Sequence, residues 1–321
     1  MLVGDGDGFV TCACGQRHWG LFGAAGLLLS DPRQGVLLQH RAGWTHQGGS
    51  WALPGGAVQS DETSAQAAAR ETEEETAVPC EAFRVLAQRA DDHGRWRYTT
   101  VLATAVGQVP EPRVTNAEST ALRWVPPAEV DDYPLHAGFA AAWPGLRDQL
   151  DRELVVLVDA ANVIGARPDG WWRDRAAAVA RLRDRLAGLA RVGVRAPDIG
   201  LGWLPEAEHW TWWPRVVLVV EGAANGVEQL DGGADVEIVR AGQETPEHGH
   251  PTHGGDVRHG QEGPGDGDAA LVAAARALRA ARPRDHLVVV TADRQLRGRV
   301  APDADTVLGP AALWHTLESY P

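Results

Sequence analysis

The chain has 321 residues, with 43 acidic against 30 basic residues and a formal net charge of −13 at pH 7. This length allows two domains of ordinary size. The acidic balance excludes a general attraction to nucleic-acid phosphates as a property of the whole protein. The three cysteines, Cys12, Cys14 and Cys80, are too few for a disulfide framework and predict a cytoplasmic location.

The first segments predict neither secretion nor membrane insertion. Residues 1–9 carry no positive charge, so they are not typical of a signal peptide. The apolar run Leu21–Leu29 is too short to span a bilayer. Between them, Cys12, Cys14 and His18 offer metal donors, but their spacing is not that of a zinc knuckle and no second Cys pair follows. We therefore expect a small turn there, with zinc as the less favoured alternative.

Strand-like segments surround a central helix in the first half. Leu21–Leu29 and Gly35–His40 predict two strands, and Arg41 follows the second. Arg41 is interpreted either as a contact to a substrate phosphate or as an edge-strand charge. Later segments with predicted structure are the strands Phe83–Ala90, Trp96–Val106 and Arg123–Val125, and a helix Leu135–Leu150 interrupted at Pro144.

The stretch Gly56–Val78 organises this half of the chain. Pro54-Gly55-Gly56 predicts a turn. Ser60 or Asp61 is predicted to cap a helix that runs to about Thr76.

The helix carries an unfavourable set of charges. Glu71, Glu74 and Glu75 fall at i, i+3 and i+4, so their carboxylates share one face. Glu73 adds a further negative charge, and Arg70 is the single nearby cation. These carboxylates repel one another and oppose the helix dipole. A hard divalent cation, Mg²⁺ or Mn²⁺, would reverse that balance.

The spacing of this segment resembles the Nudix box of hydrolases that act on nucleoside-diphosphate-linked compounds, and Trp51–Gly56 resembles the residues that precede the box. Two positions depart from the family pattern: Thr72 stands where an aliphatic residue is usual, and Ala77 where glycine is usual. The matching positions are Gly56, Glu62, Arg70, Glu71, Glu74 and Glu75.

The resemblance implies a Nudix α/β/α sandwich with a mixed sheet, and Mg²⁺- or Mn²⁺-dependent hydrolysis of a phosphoanhydride bond in a nucleotide. It implies that Glu71, Glu74 and Glu75 bind the metal and that Arg70 orients them. Glu118 resembles an extra metal ligand or base of nucleoside-triphosphate pyrophosphatases. A nucleoside triphosphate, including an oxidised one, a dinucleoside polyphosphate and a sugar nucleotide all stay open as substrates. The expected substrate-binding residues are Arg41, Gly55, Gly56 and Glu62.

Near residue 151 the pattern changes to apolar runs that alternate with helical segments, which predicts a parallel α/β sheet. We expect domains at 1–150 and 151–321, with a mobile loop at 241–267 whose histidines bind metal weakly at most. The predicted strands are Leu154–Val158, Val216–Val220, Val236–Val239 and Leu287–Val290, and the predicted helices are Trp171–Ala190 and Asp268–Ala281.

Acidic residues follow three of these strands. Asp159, Glu221 and Asp293 should converge, because ligands bind beyond the carboxyl ends of parallel strands. Asp268 begins a helix, where a capping role is the alternative. Together with Asn162, these positions resemble PIN-like or NYN ribonuclease domains, which implies that Asp159, Asp268 and Asp293 bind metal.

The sequence therefore predicts a Nudix nucleotide pyrophosphohydrolase fused to a PIN-like domain that acts on RNA. The alternative is a catalytically silent Nudix module that senses a nucleotide and regulates the RNA-acting domain. No membrane partner is expected, and the sequence does not indicate an oligomeric state.

Overall fold

The computed structural model describes residues 4–12, 15–168, 170–229, 236–242 and 266–320. Contacts divide the chain into two compact units. The first unit is Met1–Arg152 with Trp203–Trp212, and the second is Glu153–Gly202 with Trp213–Pro321. The sequence did not indicate that a short segment beyond residue 200 belongs with the first unit. Cys14 and most of the predicted loop, residues 243–265 with its histidines, lie outside the described residues.

The elements are as follows. In chain order the strands are β1 (Phe9–Thr11), β2 (Arg17–Trp19), β3 (Ala24–Asp31), β4 (Gly35–Arg41), β5 (Trp51–Ala52), β6 (Gly55–Ala57), β7 (Phe83–Asp92), β8 (Arg97–Ala105), β9 (Ser119–Val125), β10 (Leu154–Asp159), β11 (Val194–Arg195), β12 (Trp210–Trp212), β13 (Arg215–Val220), β14 (Val236–Arg240), β15 (His286–Val290) and β16 (Thr306–Leu308). The α-helices are α1 (Ser64–Thr76), α2 (Ala137–Gln149), α3 (Ala160–Gly165), α4 (Arg175–Val192), α5 (Asp266–Ala281), α6 (Arg294–Val300) and α7 (Pro310–Ser319). Among the described residues, none of the helices has both the length and the apolar character needed to cross a membrane.

The first unit is built on a mixed sheet with the strand order β12-β7-β8-β3-β4-β5, in which β6 pairs with β3 and β9 with β4. Strand β3 is parallel to β8 and antiparallel to β4 and β6. Every residue of β3 is buried, which indicates that both faces of the sheet are covered there. Ala67 and Ala68 of α1 share a core with Leu27 and Leu29 of β3. The predicted mixed sheet is therefore confirmed, and α1 lies on its centre.

Helix α1 begins later than the sequence indicated. Its cap is Thr63, whose hydroxyl accepts a hydrogen bond from Gln66 N (3.3 Å), while Gln66 Oε1 accepts from Thr63 N (2.8 Å). This reciprocal pair is a capping box. Ser60 does not cap the helix because its backbone N–H donates to Asp5 Oδ1 (3.1 Å) and its hydroxyl to the same carboxylate.

The helix ends at Thr76, as predicted, and Ala77 follows with a left-handed φ of 58°. A non-glycine residue in this conformation costs about 1–2 kcal/mol. Alanine in place of glycine at position 77 therefore introduces a small backbone strain after the helix, and the helix still ends at Thr76.

The sequence predicted an interruption of this helix at Pro144. That prediction is wrong, because α2 continues through Pro144. Proline removes one backbone hydrogen bond from a helix interior. Phe139, Trp143 and Leu146 are all buried on one side of α2. Burial of these large side chains offsets the missing hydrogen bond.

The second unit contains the predicted parallel sheet, with the strand order β14-β13-β10-β15-β16. Strand β10 is central and pairs in parallel with both β13 and β15. Leu271 and Ala275 of α5 share a core with Leu157 and Val289 of the sheet. The chain runs from β10 outward to β13 and β14 and then returns to β15 on the other side of β10. The strand order therefore reverses beside β10, and a crevice is expected at the carboxyl ends of the strands there.

Candidate active site

Glu75 is the most buried acid of α1, with a relative exposure of 3%. Gly55 N donates to its Oε2 (3.0 Å) and Gln39 Nε2 donates to its Oε1 (3.1 Å). Burial raises the pKa of Glu75 to about 7, and the charges of Glu71 and Glu118 act in the same direction, against the lowering effect of the two hydrogen bonds. A small change in pH near neutrality therefore changes the protonation state of the Glu75 carboxyl.

Glu71 and Glu74 lie on the same side of α1, as the spacing predicted. Burial raises the pKa of Glu71, and the charges of Glu74 and Glu118 add to that shift, while Arg70 opposes it. Arg70 Nη1 donates to Glu71 Oε1 (2.9 Å) and reaches Glu74 Oε2 at 3.4 Å. The face thus carries several carboxylates and one adjacent guanidinium.

Arg70 is held mainly by Glu62. Its Nε donates to Glu62 Oε2 (3.0 Å), its Nη2 to Glu62 Oε1 (2.7 Å), and its Nη2 also to Ala57 O (3.1 Å). Burial opposes ionisation of Glu62, but the hydrogen bonds from Arg70 and Gln59 N lower the pKa of Glu62 below its usual value. These contacts favour a positioning role for Glu62, whereas the sequence placed it among the substrate-binding residues.

Gly55 and Gly56 allow the turn to approach both the sheet and the helix. A Cβ at Gly55, whose φ is 159°, would lie 2.2 Å from Ala25 O. A Cβ at Gly56 would lie 2.4 Å from Glu71 Oε1. Glycine at both positions therefore brings the Gly55 N–H to Glu75 and leaves room for the Glu71 carboxylate.

The segment before β9 places Glu118 beside the helix. Arg113 N donates to Thr76 O (2.8 Å), Thr115 N donates to Glu75 O (3.4 Å), and the Thr115 hydroxyl donates to Glu74 O. These bonds satisfy the last carbonyls of α1, which have no partner within the helix. Glu118 follows directly, and its charge acts on Glu71 and Glu75.

Sequence reasoning assigned no role to two neighbours of this cluster. Gln39 is buried on β4, and a polar side chain in an apolar strand was the available signal. Tyr98 gave no such signal; burial raises its pKa to about 12, Arg41 lowers it and Glu75 raises it further. Arg41 Nε donates to His46 O (3.1 Å), and the charges of both Arg41 and Glu75 act on Tyr98.

The donor set fits a hard divalent cation. Glu71, Glu74, Glu75 and Glu118 offer only carboxylate oxygens, which Mg²⁺ and Mn²⁺ prefer. Gln39 Oε1 is buried and has no hydrogen-bond partner among the described residues. Burial raises the pKa values of Glu71 and Glu75, and the charges of neighbouring acids add to that effect, so a bound cation would favour the ionised forms of both carboxyls.

The second unit brings its predicted acids together at the carboxyl end of the sheet. Asp159 Oδ2 accepts from Asn162 Nδ2 (2.5 Å) and from Thr291 Oγ1 (3.0 Å). Burial raises the pKa of Asp268, and the charges of Asp293 and Asp159 raise it further.

Asp159 and Asp293 also cap helices, a role that the sequence had offered only for the acid at the start of α5, Asp268. Asp159 Oδ1 accepts from Asn162 N (3.1 Å) at the start of α3. Asp293 Oδ1 accepts from Gln295 N (2.7 Å) and Leu296 N (2.8 Å) at the start of α6. Capping fixes both carboxylates without excluding a ligand at their remaining lone pairs.

Comparison with known proteins covers the first unit. The NUDIX domain model matches residues 20–145. A putative 8-oxo-dGTP diphosphatase 3 of Mycobacterium tuberculosis is 51% identical over 157 residues, which are 46% of this chain and 71% of that protein. The chain belongs to the Nudix family. It is therefore a Nudix hydrolase, an enzyme that acts on pyrophosphate bonds.

Two further relatives each match part of the chain. A nucleoside triphosphate pyrophosphatase/Nudix hydrolase fusion protein of Bifidobacterium longum is 41% identical over 153 residues, 46% of this chain and 32% of that protein. The crystal structure of the Nudix hydrolase RenU from M. smegmatis has 47% identity and a TM-score of 0.41, and covers 44% of this chain and 94% of that one. These matches each span less than half of this chain.

The pKa of Glu75 predicts how pH affects folding in the absence of metal. Because the folded-state pKa is above the ordinary value of 4.5, the folded protein retains a proton that the unfolded chain loses, and the free energy of unfolding falls as pH rises from about 4.5 to about 7. Glu75→Gln should therefore raise the free energy of unfolding by about 1–3 kcal/mol at about pH 8, and by less than about 1 kcal/mol at about pH 5.

Urea unfolding in the presence of EDTA measures this difference. Glu74→Gln, in which the replaced side chain is 60% exposed, is the matched control and should change stability little at either pH. Equal effects of Glu75→Gln at the two pH values would contradict the assignment of a raised pKa.

Proposed function

We propose that the Nudix part hydrolyses a phosphoanhydride bond of a nucleoside triphosphate that carries an oxidised base. The carboxylate cluster centred on Glu75 is the observation that supports hydrolysis. The substrate class is taken from the M. tuberculosis relative, which is named a putative 8-oxo-dGTP diphosphatase. Dinucleoside polyphosphates and sugar nucleotides are the competing substrates.

The roles of the residues follow from their contacts. Glu71, Glu74 and Glu75, with Glu118 as a further ligand or as the base, would hold Mg²⁺ or Mn²⁺. A bound divalent ion withdraws charge from the phosphate and lowers the pKa of a coordinated water. Gln39 and Gly55 N hold the Glu75 carboxylate in place.

Arg70 and the glycine turn complete the proposed site. Arg70 fixes Glu71 on the cluster side of α1, and Glu62 keeps the guanidinium in that orientation. Gly55 and Gly56 leave open space beside Glu71 that a side chain would fill. Arg41 is the proposed contact for a substrate phosphate.

A silent nucleotide sensor is less compatible with this arrangement. A module that only binds a nucleotide does not require a buried carboxyl with two acidic neighbours, which destabilises the fold at neutral pH. Such a cluster is expected where the charge serves the reaction.

Substitution of Glu75 tests the proposed activity. Glu75→Gln should lower Mg²⁺-dependent turnover of 8-oxo-dGTP by on the order of 10²-fold or more, because it removes a metal-binding charge and keeps the shape. Phosphate and pyrophosphate release is measured on a panel of 8-oxo-dGTP, dGTP, a dinucleoside polyphosphate and a sugar nucleotide. Glu73→Gln is the control, since Glu73 lies on the same helix, is exposed and contacts Cys80.

The outcomes separate the alternatives. Retained turnover in Glu75→Gln would refute the proposed role of the cluster. Tight nucleotide binding by the parent protein, with no turnover of any compound, would favour the sensor.

We further propose that the second unit is a metal-dependent ribonuclease. The observation in its favour is that Asp159 and Asp293 lie close enough to Asp268 for their charges to add to the effect of burial, which raises the pKa of Asp268. Glu221 adds a fourth acid, since a Cβ at Gly267, in the first turn of α5, would lie 2.2 Å from Glu221 Oε2. Neighbouring carboxylates repel unless a cation lies between them. When bound, divalent ions stabilise charge on a phosphodiester during cleavage.

The full chain with Glu75→Gln, in which the Nudix activity is expected to be strongly reduced, tests this second activity. It should cleave an internally labelled single-stranded RNA in the presence of Mn²⁺, and Asp159→Asn or Asp293→Asn should reduce cleavage by on the order of 10²-fold. Asparagine also caps helices, so both variants should remain folded. Asp184→Asn, an exposed change on α4, is the control. Absence of cleavage in the parent, or cleavage that persists in both variants, would contradict the proposal.

A further inference from the structure

A second group of metal donors lies in the first unit, apart from the carboxylates of α1. Cys12 follows β1, His18 lies within β2, and His93 lies in the turn between β7 and β8. One donor atom from each side chain lies within 4.8 Å of the other two. Cys12 and His18 are close in sequence, but His93 reaches them only through the fold.

The backbone around each donor is ordered by hydrogen bonds. Cys12 N donates to Gln16 O (2.9 Å) across the β1–β2 hairpin, and His93 N donates to Trp96 O (2.9 Å) within the β7–β8 turn. The His18 and Trp96 rings stack with their centroids 4.1 Å apart and an interplanar angle of 10°. The hairpin and the turn are therefore held face to face.

Two hydrogen bonds join the hairpin to the turn close to the three donors. Trp96 Nε1 donates to Trp19 O (3.0 Å), and the Cys12 thiol donates to His93 O (3.2 Å). These contacts hold the β1–β2 hairpin against the β7–β8 turn at the place where the three donor atoms come together.

We propose that Cys12, His18 and His93 form a zinc site that ties the β1–β2 hairpin to the β7–β8 turn. One thiolate and two imidazoles are donors that Zn²⁺ prefers, whereas the α1 cluster offers only oxygen. Donor atoms of a tetrahedral zinc site lie roughly 3.4–3.6 Å apart, so side-chain rotations that close the present spacing by about 1 Å complete the geometry. The fourth position is left to water or another donor.

Zinc binding at this site requires the loss of one proton and an access path for the ion. The Cys12 thiol loses its proton to solvent, and its hydrogen bond to His93 O is replaced by a sulfur–zinc bond. Cys12 is buried, His18 is half-buried and His93 is exposed. The ion therefore enters from the side of His93.

The site acts on the stability of the hairpin. A two-stranded sheet is marginally stable by itself. Strands β1 and β2 form such a sheet, and Phe9 and Trp19 on it remain 53% and 44% exposed. A bound metal contributes its binding free energy to the folded state, so it stabilises this sheet against separation from the turn.

Cobalt spectroscopy of the full chain tests the proposal. His248, His250, His253 and His259 are first replaced by glutamine, so that this histidine-rich stretch adds no metal binding. One equivalent of Co²⁺ should then give a thiolate-to-cobalt charge-transfer band in the near ultraviolet, which neither carboxylates nor imidazoles produce. Cys12→Ser should abolish the band and His93→Gln should weaken or shift it, while Cys80→Ser should leave it unchanged.

Thermal unfolding gives a readout that does not depend on spectroscopy. Zn²⁺ should raise the melting temperature of the parent by several degrees more than that of Cys12→Ser. Without added zinc, the two proteins should have the same circular dichroism and, in the presence of Mg²⁺, the same nucleotide turnover. A charge-transfer band that persists in Cys12→Ser, no band in the parent, or equal zinc effects on the two proteins would overturn the assignment.

Discussion

The buried carboxyl of Glu75 is the constraint on which the first unit depends. A carboxylate with 3% exposure requires hydrogen-bond donors, and the fold supplies Gly55 N and Gln39 Nε2 from two different strands. Gly55 reaches Glu75 only because the backbone approaches Ala25 more closely than any side chain allows. The turn, the strand and the helix are thus fixed relative to one another by the acid that they surround.

The same constraint accounts for the surrounding ion pairs. Negative charge accumulates near Glu75 because Glu71 and Glu118 lie close by. Arg70 balances part of that charge, and Glu62 keeps its guanidinium from turning toward solvent. The remaining imbalance destabilises the metal-free protein at neutral pH, which is the cost of a site prepared to bind a cation.

The sequence predicted what is local and missed what depends on distant residues. The shared face of Glu71, Glu74 and Glu75, and the end of α1 at Thr76, follow from helical spacing alone. The start of α1 was misplaced because Asp5, far away in sequence, takes the hydrogen bonds of Ser60. His93 could not be joined to Cys12 because only the pairing of β7 with β8 forms the turn that carries it.

In the second unit, too, the sequence predicted local features and missed contacts between distant residues. Alternating strands and helices predicted a parallel sheet, and the acids at the strand ends follow from that topology. The hydrogen bond from Asn162 to Asp159 joins residues only three positions apart and follows from their spacing, whereas the contact of Asp159 with Thr291 joins distant residues and had to be read from the structure. A capping carboxylate and a metal-binding carboxylate at the start of a helix have the same sequence signature, so sequence alone left both interpretations of Asp268 open.

Proton release on metal binding tests the central role of Glu75 most directly. Mn²⁺ is titrated at about pH 6.5 into the Cys12→Ser protein, in buffers of different ionisation enthalpy, with and without Glu75→Gln. Because the pKa of Glu75 is about 7, binding should release a substantial fraction of a proton, and Glu75→Gln should release much less. Glu73→Gln should behave like the parent. Equal proton release with and without Glu75→Gln, or none in the parent, would contradict the account.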